Sequence, residues 1–332
     1  MHDDDSTPLS PAPEDPASRP LGVLVGFDGS PEAVLALHYA TRAALRLGTR
    51  LTVVTAYTVP RLSHADVGLI PDVPYEELFR AGAAELGEEA RQHLAGYPGE
   101  YDLRIERGDA AGVLVALSAE AQLAVVGARG RGGFVGRLLG SVSSALPAHA
   151  QCPTVVVPRQ YEIGAGEGAE RFALVEDDAP VVVGVDTSTN SRIAASVAAR
   201  AAQDRRAPLH VLMLVPPPEQ WGGAYMGSLP DFLTLETHRT KLATTLERDM
   251  AELRERFPDV PITTEVKIAD AAQQLVKASR SAQLVVVGTR GRGRMASTLL
   301  GSVSRTLLQR AEGPVLVVPD SSRHGAAPRR PR

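Results

Sequence analysis

The sequence predicts an α/β protein made of two tandem doubly wound domains, each with a five-stranded parallel sheet flanked by helices. Three observations predict it. Short apolar runs such as Leu21–Gly26 alternate with helical patterns, as parallel strands covered on both faces do. The alternation occurs twice, at a spacing of about 160 residues, which is too long for a solenoid unit and fits a duplicated domain. Val125–Leu146, VVGARGRGGFVGRLLGSVSSAL, also returns as Val286–Leu307, VVGTRGRGRMASTLLGSVSRTL. The two are identical at 14 of 22 ungapped positions, too many for chance.

Taken in order, Leu21–Gly26 is the first strand, a continuous apolar run. Ser30-Pro31-Glu32 then reads as an N-cap, a proline at the first helical position and an acid in the first turn. Val34, Leu37, Thr41, Ala44 and Leu45 follow at helical spacing, and Gly48 ends the helix. Leu51–Tyr57 is the second strand. A second helix is expected near 75–95, a third strand near 102–107 and a third helix over about 110–120. Leu123–Val126 is the fourth strand. The recurring glycine loop leads from it to a fourth helix starting near Ser141, which Pro147 is expected to kink. Val155–Val157 is the fifth strand.

The second copy repeats the series. PVVVGVDTS (180–188) matches LGVLVGFDGS (21–30), so Asp186 pairs with Asp28. Leu209–Val215 matches Leu51–Tyr57, and PVLVVP (314–319) matches PTVVVP (153–158). An amphipathic helix runs through Leu235, Leu242, Leu246 and Leu253. The expected boundaries are a disordered acidic, Pro-rich lead-in over 1–19, domain one over 20–159 and a Gly- and acid-rich linker over 160–179. Domain two covers 180–320 and a basic tail 321–332. The final strands, Val155–Val157 and Val315–Val318, are apolar edges that need cover. They are expected to meet in a shared interface, within the chain or between chains.

Composition narrows the function classes. A net charge of −4 argues against a general nucleic-acid binder. One cysteine, Cys152, excludes an internal disulfide framework and suits a cytoplasmic protein. No apolar run is long enough to span a membrane. There is no P-loop and no pair of histidines at metal-ligand spacing. Gly291–Ala296 formally fits a dinucleotide fingerprint but follows the fourth strand rather than the first, and copy one lacks it.

What remains is the repeated loop. Its pattern is Gly, two residues, Gly, nine residues, Gly-Ser: Gly127, Gly130, Gly140 and Ser141, then Gly288, Gly291, Gly301 and Ser302. The first glycine sits where a buried parallel strand ends, beside the usual ligand crevice. Gly-Ser opens a helix, whose free N–H groups favour an anion, and a missing Cβ lets phosphate approach the backbone. The hydroxyls of Ser141, Ser143, Ser302 and Ser304 are expected to add donors. The chemistry implied is a phosphorylated ligand.

On these motifs the chain resembles the ATP-binding branch of the universal stress protein family, in tandem, over about residues 20–320. The resemblance implies that ATP, with Mg²⁺ as companion, is held by Gly127, Gly130, Gly140, Ser141, Val142 and Ser143 in domain one. Gly288, Gly291, Gly301, Ser302, Val303 and Ser304 would do the same in domain two. It also implies that Asp28 and Asp186 lie beside the nucleotide and that Ala56 and Leu214 pack on adenine. A homodimer and a regulatory protein partner are further implications.

Blander readings stand beside these. Asp28 and Asp186 also suit a turn-capping role. Arg129, Arg131, Arg290 and Arg292 fit phosphate contact or plain solvation equally. Cys152 reads as a packed thiol. The function implied is a nucleotide-dependent regulatory module; the rivals are a slow ATPase or self-phosphorylating enzyme, and a scaffold with vestigial loops. The two sites are expected to differ. Ala269 stands where copy one has Gly108, and its methyl group is expected to crowd the second site and make it the weaker.

Overall fold

The computed structural model describes residues 19–60, 75–131, 139–164, 166–174, 177–217, 232–290 and 300–320. The expected lead-in up to residue 18, the basic tail, Gly291 and Arg292 lie outside the described residues. The first half runs β1 (Val23–Gly26), α1 (Pro31–Leu47), β2 (Leu51–Tyr57), α2 (Tyr75–His93), β3 (Tyr101–Arg107), α3 (Ala110–Leu117), β4 (Leu123–Gly127), α4 (Ser141–His149) and β5 (Thr154–Val157). The second half repeats it: β6 (Val181–Val185), α5 (Thr189–Arg205), β7 (Leu209–Val215), α6 (Phe232–Arg256), β8 (Ile262–Ile268), α7 (Ala271–Ala278), β9 (Leu284–Gly288), α8 (Ser302–Arg310) and β10 (Val315–Val318).

Each half is a parallel sheet, ordered β3-β2-β1-β4-β5 and β8-β7-β6-β9-β10. The two join into one ten-stranded sheet because β5 and β10 pair antiparallel, Val156 opposite Val315 and Val155 opposite Leu316. The apolar edges therefore cover each other within the chain. Both strands are buried throughout, as continuous apolar runs at the centre of a sheet should be. Alternate residues feed opposite faces. Val23, Val25, Val155 and Val157 pack under α1 and α2, whereas Leu24, Val126 and Val156 pack under α3 and α4.

The ends of α1 follow from its sequence. Ser30 Oγ accepts from Ala33 N at 3.2 Å, Pro31 fills the first turn, and Gly48 closes the helix at φ 58°. The matching helix α5 closes on Arg206, also left-handed at φ 54°, so copy two places a Cβ where copy one has none. Pro147 lies inside α4, yet the helix continues through it to His149.

Residues 160–164 and 166–174, expected only as part of a linker, form a packed strap. Phe172 is buried and stacks on His38, with ring centroids 5.6 Å apart. Arg171 donates to His38 Nε2 at 2.7 Å, and Arg42 donates to Tyr161 Oη and to the Arg171 carbonyl. Arginine has no acceptor, so Nε2 accepts and the His38 proton sits on Nδ1. Burial first, then the nearby Arg171, His93 and Arg42, lower the His38 pKa to about 4. The Gly-rich composition hid this packing, because three residues, Tyr161, Arg171 and Phe172, carry it.

Candidate functional site

In domain two the strand ends open into a cavity of about 690 Å³. The loop after β6 brings Asp186 and Thr187, and the end of β7 brings Met213, Leu214, Val215 and Pro216. Gly288 and Arg290 come from the end of β9. Gly301, Ser302, Val303, Ser304 and Arg305 come from the start of α8. One wall is therefore apolar, with Leu212, Leu214, Leu242 and Leu275. The other is a helix start flanked by two arginines. Asp186 is the one acid among the residues lining the cavity. This size and mixture suit a small polar ligand with a flat apolar portion.

The helix starts are built alike in the two copies. Gly140 and Gly301 are the N-caps of α4 and α8, and no side chain caps either helix. The next residues, Ser141 and Ser302, are exposed. Ser143 and Ser304 behave differently from the expectation. Both are buried, and their hydroxyls donate inward, to Ala128 O and to Gly288 O, each at 2.7 Å. They pin the helix to the strand-end loop, and their protons are committed there. Val142 and Val303 are half-buried against the core face under α3, α4, α7 and α8. Of the donors expected at the helix start, the backbone amides and the hydroxyls of Ser141 and Ser302 are thus left for an anion.

The aspartates do cap turns. Asp28 Oδ1 accepts from Ser30 N at 3.0 Å and Ser30 Oγ at 2.6 Å, and Asp186 Oδ1 accepts from Ser188 N at 2.9 Å. Asp28 also reaches across the crevice, where Oδ2 accepts from Arg131 N at 3.1 Å. A Cβ at Gly130 would fall against that same oxygen. Gly130 is thus the residue that lets Asp28 and the loop meet.

In domain one, Asp28, Gly130, Gly140 and Ser143 lie close together. A Cβ on Gly140 would lie 3.4 Å from Ser143 Oγ and 3.6 Å from Gly130 N. Gly127 has a packing reason, since a Cβ there would stand 2.6 Å from the Glu32 carbonyl oxygen. Ala56 lines a different cavity of about 490 Å³ along α2, with Arg131, Glu89 and Leu86. Arg131 Nη2 would lie 2.5 Å from a Cβ on Gly29, so this side chain lies over the turn after β1.

The expected crowding by Ala269 does not occur. Its N–H donates to Val215 O at 2.9 Å, as that of Gly108 does to Tyr57 O at 2.8 Å, but Ala269 is not among the residues lining the second cavity. Gly108 has φ 147°, whereas Ala269 avoids the left-handed region. The backbone adjusts, and the methyl group stays out of the crevice.

Comparison with known proteins decides the family. The universal stress protein family model matches residues 22–158 and again 179–319. This chain belongs to the universal stress protein family. A universal stress protein of Mycobacterium tuberculosis is 35% identical over 306 residues, covering 91% of this chain and 97% of the relative. One from Mycobacterium bovis is 35% identical over 316 residues, covering 90% and 97%. The crystal structure of a universal stress protein from Archaeoglobus fulgidus superposes with a TM-score of 0.60 at 17% identity, covering 92% of this chain and 98% of that one. That likeness establishes the shared fold.

Reading the sequence of this universal stress protein missed some of the lining. His238 and Leu242 reach the second cavity from α6. They are one helical turn apart, so the amphipathic pattern through Leu242 and Leu246 carried the signal. Arg305 was passed over because Ser144 holds its place in copy one. Among the described residues no three His, Cys, Asp or Glu side chains cluster as a metal site. Nor is any described helix long and apolar enough to cross a membrane. Cys152 is buried, and burial pushes its thiol up to about 12, as befits a packed thiol.

Proposed function

We propose that this protein is a nucleotide-dependent regulatory module of the stress response that binds ATP, one site per domain, with domain two carrying the better-formed site. The observation that supports this reading is the convergence of Asp186, Leu214, Gly288, Gly301 and Ser302 on one cavity of about 690 Å³. The apolar wall suits a purine, and the uncapped start of α8 suits phosphates. One carboxylate, Asp186, suits a Mg²⁺ held mainly by phosphate oxygens, since that ion is usually bound by one or two carboxylates plus substrate phosphate. The chain's own part is to seat the base, orient the phosphates on backbone amides and change its surface with occupancy.

Of the side chains lining the cavity, Asp186 and His238 have the chemistry of a general base, and no lysine stands among them to meet the phosphates, so binding is favoured over hydrolysis. Domain one offers the same turn at Asp28, Gly130 and Gly140. A homodimer, if it forms, needs a surface other than the β5 and β10 edges, which already pair within the chain. The test is to denature the purified protein and identify the small molecule released, then to follow labelled ATP in a single turnover. Released ATP without turnover supports the module. Stoichiometric turnover would favour the enzyme, and an empty protein that binds no added ATP would refute both.

A further inference from the structure

We infer that Arg305 makes the second site selective for long phosphate tails, favouring a nucleoside triphosphate over a monophosphate, and that domain one lacks this selectivity. The inference rests on nucleotide binding in the second cavity and deepens it. Arg305 lies on the first turn of α8, where its N–H donates to Gly301 O at 2.9 Å, and it lines the cavity beside Ser302. Arg290 lines the same cavity, with its Cα 3.6 Å from where a Cβ on Gly301 would be.

This placement works against the helix itself. The start of a helix carries the positive end of its dipole, so an arginine there is repelled unless an anion is present. The basic residue at the far end, Arg310, sits where a helix favours a cation. Among the described residues no carboxylate pairs with Arg305. A cation set against its own helix, lining a cavity whose lining holds one acid, is arranged for a multiply charged ligand. Arg305 is three residues beyond Ser302, about 4.5 Å along the axis at about 1.5 Å per residue. Its side chain leans back toward the helix start, so each added phosphate charge at that opening gains from it.

Copy one has Ser144 at the matching place, exposed and uncharged. The α4 start is otherwise the same, with Gly140, Ser141 and a buried Ser143. The duplicated domains thus differ by one positive charge at this point of their openings.

The test is calorimetric titration of the full chain with ATP and with AMP, both with Mg²⁺, in a Ser141→Asp background that silences domain one. Charge-assisted hydrogen bonds are roughly twice as strong as neutral ones. Arg305→Ser should therefore lose about tenfold in ATP affinity while AMP affinity stays within about twofold. Arg305→Lys should keep most of the preference. Circular dichroism should be unaltered, because an exposed cation leaves an unfavourable position. An Arg305→Ser protein with an unchanged ATP-to-AMP ratio would overturn the inference and leave nucleotide binding standing. A background protein that bound neither nucleotide would overturn the binding reading and this inference with it.

Discussion

Gly127→Ala should destabilise the protein, and Gly288→Ala at the matching position should not. A Cβ on Gly127 would stand 2.6 Å from Glu32 O and 2.7 Å from Glu32 C, and both are backbone atoms of α1. Ordinary contact begins near 3.4 Å, so α1 must shift by most of an ångström. That helix is held along its length by buried Ala36, Leu37, Ala40 and Ala44. Overpacking of this kind costs about 1–3 kcal/mol. Removing a glycine from the unfolded chain returns about 0.4–1 kcal/mol. The net loss therefore spans about 0–2.6 kcal/mol, with its middle at about 1.3 kcal/mol. At Gly288 the nearest atom would be Arg290 O at 3.3 Å, with Asn190 next at 3.9 Å. There the small crowding and the entropic gain offset each other, leaving a change within about 0.5 kcal/mol. Urea unfolding of both variants and the parent checks this. With a slope of about 1–3 kcal/mol/M, a loss of about 1.3 kcal/mol should lower the midpoint of Gly127→Ala by roughly 0.4–1.3 M. Equal shifts in the two variants would refute the reasoning, because the strand ends would then be packed alike.

Two further outcomes concern α1 and α5. His38 keeps a folded pKa near 4 against an ordinary 6.5, so between those values the unfolded chain takes up a proton that the folded chain refuses. Its contribution is fully present above pH 6.5 and is lost as pH falls towards 4, at about 1.4 kcal/mol per pH unit. His38→Phe should flatten urea midpoints between pH 6.5 and 5 by an amount equivalent to about 2 kcal/mol; parallel pH profiles for parent and variant would count against it. Arg206→Gly should raise stability by about 0.5–1 kcal/mol, since the left-handed φ of 54° no longer opposes a Cβ. A lower melting temperature would show that the arginine's own contacts outweigh that strain.

Much of the fold was legible because its signals are local. Ser30, Pro31 and Gly48 announce the ends of α1, and the apolar runs announce buried strands. The union of β5 with β10 was legible as a need for cover, and the structure supplies that cover inside the chain. The strap was not legible, because its packing depends on His38, Arg42 and Tyr97, far away in sequence. The same limit applied at the site. The spacing of glycines placed Gly288, Gly301 and Ser302 at one opening, but could not say which way a hydroxyl points. Ser143 and Ser304 turn inward and donate to Ala128 O and Gly288 O. Ala269 lay close in sequence to the crevice and yet stayed outside it, a matter of backbone φ rather than of composition.

The most direct test of nucleotide binding at the start of α8 is calorimetric titration of ATP into Ser302→Asp. Ser302 is exposed at the first helical position, where a carboxylate suits the helix dipole and should add about 0.3–1 kcal/mol of helix stability. A phosphate tail on the same turn would be repelled by it. The variant should melt no lower than the parent and bind ATP at domain two at least about tenfold more weakly, a change of about 1.4 kcal/mol. Binding of ATP with the parent's affinity and stoichiometry in that folded variant would contradict the account.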